Sequence, residues 1–301
     1  MIESTTPDVL TINVDHVRQQ FERRLGLADA EFLYGEIAQR MMDRLKLIRL
    51  DARLILDAGC GTGRRLTDLE QRFPNASIVA LDHSERALDV ARKSMPNSWH
   101  HKLRKFLSKS NSIDFVCADL SDTGLAAETF DMIWSNLAIH WHPRPHDVLA
   151  EWSRLLRPGG LVFFSCWGPA TGIELRQAAL RAGIKTKALP LVDMHDLGDL
   201  MLQNGLNDPV MDQETITLTY RDSGKLIHDA HILGGNPNPL RKATLSSRHW
   251  YERLAQSLEQ QRDDQGNLKL TIELAYGHGW RSAIRRKDGE TRISVQAITR
   301  K

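Results

Sequence analysis

A turn with three glycines is the first place where this sequence could perform chemistry. It follows the apolar residues 54–56 and reads Asp-Ala-Gly-Cys-Gly-Thr-Gly. Glycine has no Cβ and tolerates a positive φ, so such a turn lets the backbone approach a ligand closely. We therefore predict a binding site that contains Asp57, Ala58, Gly59, Cys60, Gly61 and Gly63.

The residues at the two ends of this glycine turn indicate which ligand it fits. The dinucleotide-binding fingerprint requires its third glycine at the position of Arg64. Asp57, at the end of the preceding strand, would repel a pyrophosphate but could accept hydrogen bonds from an ammonium group. The turn therefore favours a cofactor with an ammonium group over a dinucleotide.

Two more acidic residues end apolar segments farther along the chain. Asp82 follows residues 78–81 and is placed to accept hydrogen bonds from both hydroxyls of a ribose. Asp119 follows residues 115–118 and could accept from an adenine amino group, while the amide of Leu120 could bind a ring nitrogen. The three acidic strand ends predict one cradle for a nucleoside.

These residues belong to a pattern in which short apolar strands alternate with helices. Strands are predicted at 54–56, 78–81, 115–118, 130–134 and 161–165, and helices at 14–48, 64–73, 84–94 and 147–156. We predict an α/β fold, a doubly wound Rossmann-like sheet of seven mostly parallel strands with helices on both faces. The ligand is then expected at the carboxyl ends of the strands.

The pattern changes after about residue 170. Helices are predicted near 172–182, 194–205 and 247–260, and strands at 214–220, near the sheet edge, and at 268–275. We predict a helical segment over 1–50 that could form a lid, the main domain over 51–280 and a polar tail over 281–301. Residues 99–110 read as a basic insertion.

The composition narrows the classes of partner. Forty basic and 38 acidic side chains give a net charge of +2, so the global charge does not predict nucleic-acid binding. Three widely separated cysteines predict neither a disulfide framework nor a metal site, and suit a reducing cytoplasm. Since no segment approaches the ~18 apolar residues of a membrane span, we expect a cytoplasmic protein that does not contact the membrane.

The ordered motifs resemble those of class I S-adenosylmethionine-dependent methyltransferases over roughly residues 50–167. They read D-A-G-C-G-T-G at 57–63, L-D-H-S at 81–84, A-D-L at 118–120, F-D-M-I-W-S-N at 130–136 and L-R-P-G-G at 156–160. The resemblance implies S-adenosyl-L-methionine as the cofactor. It also adds His83 and Asn136 to the cofactor-binding residues, with Asn136 at the methionyl end.

A longer pattern, over roughly residues 14–280, looks like the malonyl-carrier-protein O-methyltransferases of biotin synthesis. It includes E-F-L-Y-G-E-I-A-Q-R-M-M-D-R-L at 31–45, S-N-L-A-I-H-W-H-P-R-P at 135–145 and L-T-I-E-L-A-Y-G-H-G-W at 270–280. The resemblance implies that the free carboxyl of malonyl-acyl carrier protein, or of malonyl-coenzyme A, is esterified to start pimeloyl and biotin synthesis. One departure is Ala28, where many members carry a tyrosine; Tyr34 is a candidate substitute.

Such an acceptor needs little general base, because a malonyl carboxylate is already ionised near neutral pH. His140 and His142 follow the fourth predicted strand and could donate to the carboxylate, or could be loop histidines paired with backbone. Arg176 could form a bidentate pair with the carboxylate, or could be a solvated helix residue. We predict His140, His142 and Arg176 as the catalytic candidates.

Other functions fit parts of the sequence. An assembly-factor hydroxylase of the same fold would need iron ligands, for which His140 and His142 are the candidates. A methyltransferase for another small carboxylate and a non-catalytic cofactor binder are further alternatives. An acidic carrier protein would need a basic docking surface, which we predict at Lys102, Arg104 and Lys105 or at Arg241, Lys242, Arg248 and Arg253.

Overall fold

The computed structural model describes residues 9–25, 31–95, 112–185, 187–240 and 248–283. These residues fold around one seven-stranded sheet. The strands are β1 (Leu54–Ala58), β2 (Ser77–Asp82), β3 (Ile113–Cys117), β4 (Phe130–Asn136), β5 (Leu156–Trp167), β6 (Leu206–Tyr220) and β7 (Leu268–Arg281).

The strands lie in the order β3-β2-β1-β4-β5-β7-β6. The first five pair in parallel, and β7 pairs antiparallel with both β5 and β6. The strand order reverses beside β1, which has β2 on one side and β4 on the other, and doubly wound sheets bind ligands at such a point. The predicted doubly wound, mostly parallel sheet is confirmed, with β6 at its edge.

Nine α-helices surround the sheet within the described ranges. They are α1 (Val14–Glu22), α2 (Glu31–Leu45), α3 (Leu66–Arg72), α4 (Glu85–Ser94), α5 (Pro145–Leu155), α6 (Ile173–Arg181), α7 (Met194–Gln203), α8 (Ser223–Ile232) and α9 (Arg248–Glu259). Helix α4 begins where its sequence predicts, because the Ser84 side chain accepts a hydrogen bond from the backbone N–H of Ala87. Helix α8 has no counterpart among the predicted helices.

Strand β5 begins earlier than its apolar segment predicts. Leu156 already pairs with Phe130, and the pairing resumes between Leu161 and Met132. Residues 157–160 of the L-R-P-G-G motif therefore form a bulge within the strand, and Gly159 adopts a φ of 79° there.

Arg44 fixes helix α2 against the antiparallel end of the sheet. Its guanidinium lies 4.0 Å from the centroid of the Tyr276 ring and 2.7 Å from a carboxylate oxygen of Asp212. The Tyr276 hydroxyl donates to Glu214, which also pairs with Arg44. These contacts fix α2, the helix on which Tyr34 lies, near the carboxyl ends of the central strands.

Several predicted features lie outside the described ranges. They are the basic segment 99–110, Arg241, Lys242 and the tail beyond residue 283. Of the other docking candidates, Arg248 on α9 is exposed and pairs with Glu252. None of the helices in the described ranges combines the length and apolar character needed to cross a membrane.

Candidate active site

The glycine turn between β1 and α3 has a backbone shape that glycine adopts without strain. Gly59, Gly61 and Gly63 have φ values of 84°, 56° and 70°, in the left-handed region. The N–H of Gly59 donates to the carbonyl of Leu81 at 2.8 Å, and a Cβ on Gly59 would lie 2.4 Å from the Cβ of Ala138. The turn is thus fixed to the end of β2 and packed closely against the segment after β4.

Asp82 holds this turn and the start of α4 in place. One carboxylate oxygen accepts from the N–H of Gly61 at 2.9 Å, and the other accepts from the N–H of Ser84 at 2.9 Å. The residue is buried but still lines a cavity at the strand ends. Because a carboxylate oxygen has two lone pairs, each oxygen can accept one more hydrogen bond from a ligand.

Asp57, at the end of β1, is buried beside Asp82. Burial, and secondarily the negative charge of Asp82, raises the pKa of the Asp57 carboxyl to about 7. No basic side chain within the described ranges forms an ion pair with Asp57. A cationic group bound in the cavity would stabilise the ionised carboxylate.

The cavity at the carboxyl ends of β1, β2 and β4 has a volume of about 240 Å³. Eight of the predicted cofactor-binding residues line it: Asp57, Gly59, Cys60, Gly61, Asp82, His83, Leu120 and Asn136. Ala58 is fully buried behind the turn. Gly63 faces α4, where a Cβ on it would lie 2.9 Å from the Cβ of Ala91.

Asp119 lies beside the cavity, and one of its carboxylate oxygens already contacts other side chains. His142 Nε2 lies 3.1 Å from one of its carboxylate oxygens, and the same oxygen accepts from the N–H and the hydroxyl of Ser121. The contact with His142, followed by those with Ser121, holds the pKa of Asp119 well below its usual range. His142 therefore contacts the predicted adenine-binding residue and does not line the cavity.

His140 lies away from this cavity, on the other side of Trp141. Its ring stacks on the ring of Trp167, with centroids 5.1 Å apart, and neither ring nitrogen has a partner within the described ranges. Burial lowers the pKa of His140 to about 3, so the ring is neutral at ordinary pH. The second cavity, which it lines, has a volume of only about 10 Å³.

Arg176 also lies away from the cavity and supports the loop after β5. Its guanidinium donates to the backbone carbonyls of Thr171 and of Pro169, the second at 2.6 Å. The sequence suggested a carboxylate pair for Arg176. In the structure its donors instead hold residues 169–171 in place.

The remaining cavity wall comes from residues that sequence reasoning did not select as site residues. Helix α1 and the residues after it contribute Val17, Phe21 and Arg24, and the other apolar contributors include Trp141 and Ile232. Phe21 and Trp141 contact each other edge-to-face with centroids 5.4 Å apart. The spacing of four and three residues in the α1 set was a detectable signal, since it places all three side chains on one helix face.

Asn136 connects this wall to the sheet. Its side-chain nitrogen donates to the backbone carbonyl of Tyr34 at 3.2 Å, and its side-chain oxygen accepts from Ser165 at 2.9 Å. Tyr34 lines the cavity, and its hydroxyl donates to the carbonyl of Leu233 at 3.1 Å. Ala28, the position of the family's tyrosine, lies outside the described residues.

Comparisons with known proteins identify the family to which this chain belongs. Residues 56–164 match the family described as "Methyltransferase domain". The malonyl-acyl-carrier protein O-methyltransferase of Laribacter hongkongensis is 38% identical, over 89% of this chain and 90% of its own length. The enzyme of the same name from Halorhodospira halophila is 33% identical, over 98% of both chains. This chain belongs to the malonyl-acyl-carrier protein O-methyltransferase family.

Membership of this family makes the chain a methyltransferase with S-adenosylmethionine as its cofactor. The solved structure of the YcgJ protein from Bacillus subtilis shares the fold, with a TM-score of 0.53 and 13% identity over 81% of this chain and 99% of that chain. The matches do not favour the hydroxylase alternative. In the part of the chain that the structure describes, no group of three or more His, Cys, Asp or Glu side chains could hold a metal ion.

Proposed function

We propose that this chain transfers a methyl group from S-adenosylmethionine to the free carboxyl of malonyl-acyl carrier protein. The observation that carries the proposal is the match to enzymes of that name over 98% of the chain. The match includes the acidic half of the cavity, which contains Asp57 and Asp82, and the apolar wall on which Phe21 and Trp141 lie. The product is the methyl ester that starts pimeloyl and biotin synthesis, and malonyl-coenzyme A would present the same acceptor group.

The acidic half of the cavity suits the cofactor. In this proposal Asp57 accepts from the cofactor's ammonium group and Asp82 accepts from the ribose hydroxyls. Two observations support these roles. The buried Asp57 carboxyl has no basic partner within the described ranges. Asp82 is fixed by hydrogen bonds from two backbone N–H groups. Leu120 and His83 would flank the adenosine, and Asp119 would contribute its second carboxylate oxygen.

The bound cofactor supplies a methyl group attached to a sulfonium sulfur. A carboxylate oxygen of the acceptor would form the new C–O bond as the C–S bond breaks, the sulfur would leave as a neutral thioether, and no proton would move. The acceptor is ionised near neutral pH, so the protein has to orient it and exclude water rather than remove a proton. Because the transfer neutralises two opposite charges, the apolar wall formed by Phe21, Trp141 and Ile232 would favour it.

The three catalytic candidates from the sequence would act indirectly in this proposal. His142 would position Asp119 and Leu120 at the adenine end. His140 would support Trp141 from behind through its ring contact, with centroids 4.7 Å apart. Arg176 would hold the loop after β5.

The proposal is tested by incubating the protein with S-adenosylmethionine and malonyl-acyl carrier protein and measuring the carrier's mass. We expect a gain of one methyl group. Acetyl-acyl carrier protein, which has the same thioester but no free carboxyl, should gain none. If calorimetry shows cofactor binding but the malonyl carrier gains no mass, the acceptor is a different molecule, and other small carboxylates are then to be assayed.

A further inference from the structure

Arg24 contributes a guanidinium to the wall of the cavity. It lies just beyond α1, seven residues after Val17 and three after Phe21, and all three residues line the cavity. Phe21 contacts Trp141 edge-to-face, and Ile232 is a further apolar residue of the same cavity wall. Arg24 adds a cation to this group of apolar residues.

Two preceding residues of α1 hold the guanidinium in position. Arg24 Nη2 donates to the side-chain oxygen of Gln20 at 3.0 Å. The side-chain nitrogen of Gln20 lies 2.9 Å from His16 Nε2, which orients the amide with its oxygen toward Arg24. Gln20 is buried although it is polar, so this chain of contacts restricts the guanidinium to few orientations.

The other terminal nitrogen of Arg24 lacks a partner. Arg24 Nη1 is buried and forms no hydrogen bond, and no carboxylate within the described ranges pairs with the side chain. Burial lowers the pKa of Arg24 from its usual value. A buried donor of a charged group is costly when it is unpaired, so an anion that entered the cavity would gain a strong hydrogen bond.

We infer that Arg24 binds the carboxylate of the methyl acceptor. This inference rests on the proposed function, which supplies a carboxylate as the nucleophile. With Nη2 already bonded to Gln20, Nη1 can hold one carboxylate oxygen and leave the other to attack the methyl group. The apolar residues around Arg24 would exclude the water that competes for that second oxygen.

The cofactor also carries a carboxylate, and the cavity has other cations beside the glycine turn. Arg64 and Arg65 both line the cavity there. Arg24 comes instead from the segment after α1, and its Nη2 would be 3.3 Å from a Cβ on Gly235, which follows α8. Neither of these two segments belongs to the strand ends that would hold the cofactor. We therefore assign Arg24 to the acceptor.

The test compares Arg24→Gln and Arg24→Lys with Arg18→Gln, which removes an exposed guanidinium from α1. Steady-state kinetics with malonyl-acyl carrier protein and calorimetry with S-adenosylmethionine are measured for each. We expect Arg24→Gln to lower kcat/KM for the acceptor by about 10- to 100-fold, with partial recovery in Arg24→Lys. Cofactor affinity should change by less than about threefold, because Arg24 is inferred to contact the acceptor and not the cofactor.

Two outcomes would overturn the inference. If Arg24→Gln weakens cofactor binding and leaves the acceptor KM unchanged, Arg24 binds the methionyl carboxylate. If both constants match those of Arg18→Gln, Arg24 binds neither carboxylate.

A failure of the proposed function is recognised separately, because the wild-type protein would then leave malonyl-acyl carrier protein unmethylated. In that case binding of free malonate to the protein loaded with S-adenosylhomocysteine tests Arg24 directly. Weaker malonate binding in Arg24→Gln than in Arg18→Gln supports a carboxylate site, and equal binding, or none, overturns it.

Discussion

The hydroxyl of Ser84 donates a 2.8 Å hydrogen bond to a carboxylate oxygen of Glu22. This bond joins the last residue of α1 to the residue that caps α4, two positions after Asp82. Ser84 is buried, and the guanidinium of Arg86 lies 3.7 Å from the Glu22 carboxylate. Helix α1 is therefore attached directly beside the proposed ribose contact.

Replacing Glu22 with alanine should make the cofactor dissociate faster, because α1 would lose its bond to Ser84. Loss of a partly buried hydrogen bond to a charged group predicts an increase in the dissociation rate of about 3- to 10-fold. Stopped-flow displacement of S-adenosylhomocysteine measures it. Asp15→Ala removes an exposed α1 carboxylate that pairs with Arg18 and is the matched control. An unchanged rate in Glu22→Ala would show that α1 does not restrict cofactor exit.

Cofactor binding should release a proton below neutral pH. The pKa of Asp57 is raised to about 7 by burial and by Asp82, so near that pH a large fraction of the carboxyl is protonated. A bound ammonium group favours the ionised form and lowers this pKa, so the proton leaves as the cofactor binds. Affinity should accordingly weaken as the pH falls below about 7.

Calorimetry in two buffers with different ionisation enthalpies measures this proton release. The apparent binding enthalpy should differ between the buffers at about pH 6 and agree at about pH 8.5, where Asp57 is already ionised. Asp57→Asn should abolish the difference while the other carboxylates remain. Equal enthalpies in both buffers at the lower pH would remove the assigned contact between Asp57 and the ammonium group.

His140 should make the fold sensitive to acid. Burial lowers its pKa to about 3, below its usual value, so the unfolded chain binds a proton in the pH range where the native protein does not. Stability is therefore lost as the pH falls from about 6.5 toward 3, by about 1.5 kcal/mol between about pH 6.5 and about pH 5.

Urea unfolding of His140→Phe at these two pH values checks the prediction. The variant keeps a ring beside Trp167 and should lose less stability on acidification than the wild type, by about the same 1.5 kcal/mol. His249→Ala, at an exposed position on α9, should keep the wild-type pH dependence. Identical acid sensitivity in all three proteins would contradict the buried neutral state of His140.

Alanine substitutions can separate the two reasons for glycine in this turn, which are backbone strain and steric overlap. Gly59 and Gly61 both have positive φ values, but only a Cβ on Gly59 meets a neighbour, the Cβ of Ala138 at 2.4 Å. We expect Gly61→Ala to destabilise the protein by about 1 kcal/mol through backbone strain. Gly59→Ala should cost about 2–4 kcal/mol because steric overlap is added.

Thermal unfolding with and without the cofactor measures both effects. Adding Ala138→Gly to Gly59→Ala should recover the part of the loss that comes from the overlap, whereas the same addition to Gly61→Ala should recover nothing. Equal losses in the two single variants would contradict the close packing between the turn and the segment after β4.

The cofactor half of the site was predictable because the backbone alone places it. Asp57 and Asp82 end parallel strands that are adjacent in the sheet, so their positions follow from the strand pattern. The fold class followed from the same alternation of strands and helices. Asp119 was predicted to end the third strand, whereas β3 ends two residues earlier at Cys117. Its contact with His142 depends on the path of a loop, which short-range patterns do not determine.

The environments of His140 and of the proposed acceptor residue Arg24 were less predictable, because packing between distant segments decides them. His140 is buried by Trp167, which lies 27 residues later in β5, and no local signal reveals that contact. Arg24 reads as an ordinary helix-end arginine until α1 is placed over the cavity. Helix α8 was missed because few of its residues are buried, chiefly Ser223, Leu226 and Ile232.

The cavity wall around Phe21, Arg24 and Tyr34 comes from a part of the chain that precedes the residues matching the methyltransferase domain. The glycine turn and Asp82 lie within that match. If this wall contacts the acceptor as proposed, substitutions in the first two helices change the choice of acceptor while the residues that bind the methyl donor stay constant. The same separation makes this short stretch of sequence the natural place to exchange with other family members when a new acceptor is sought.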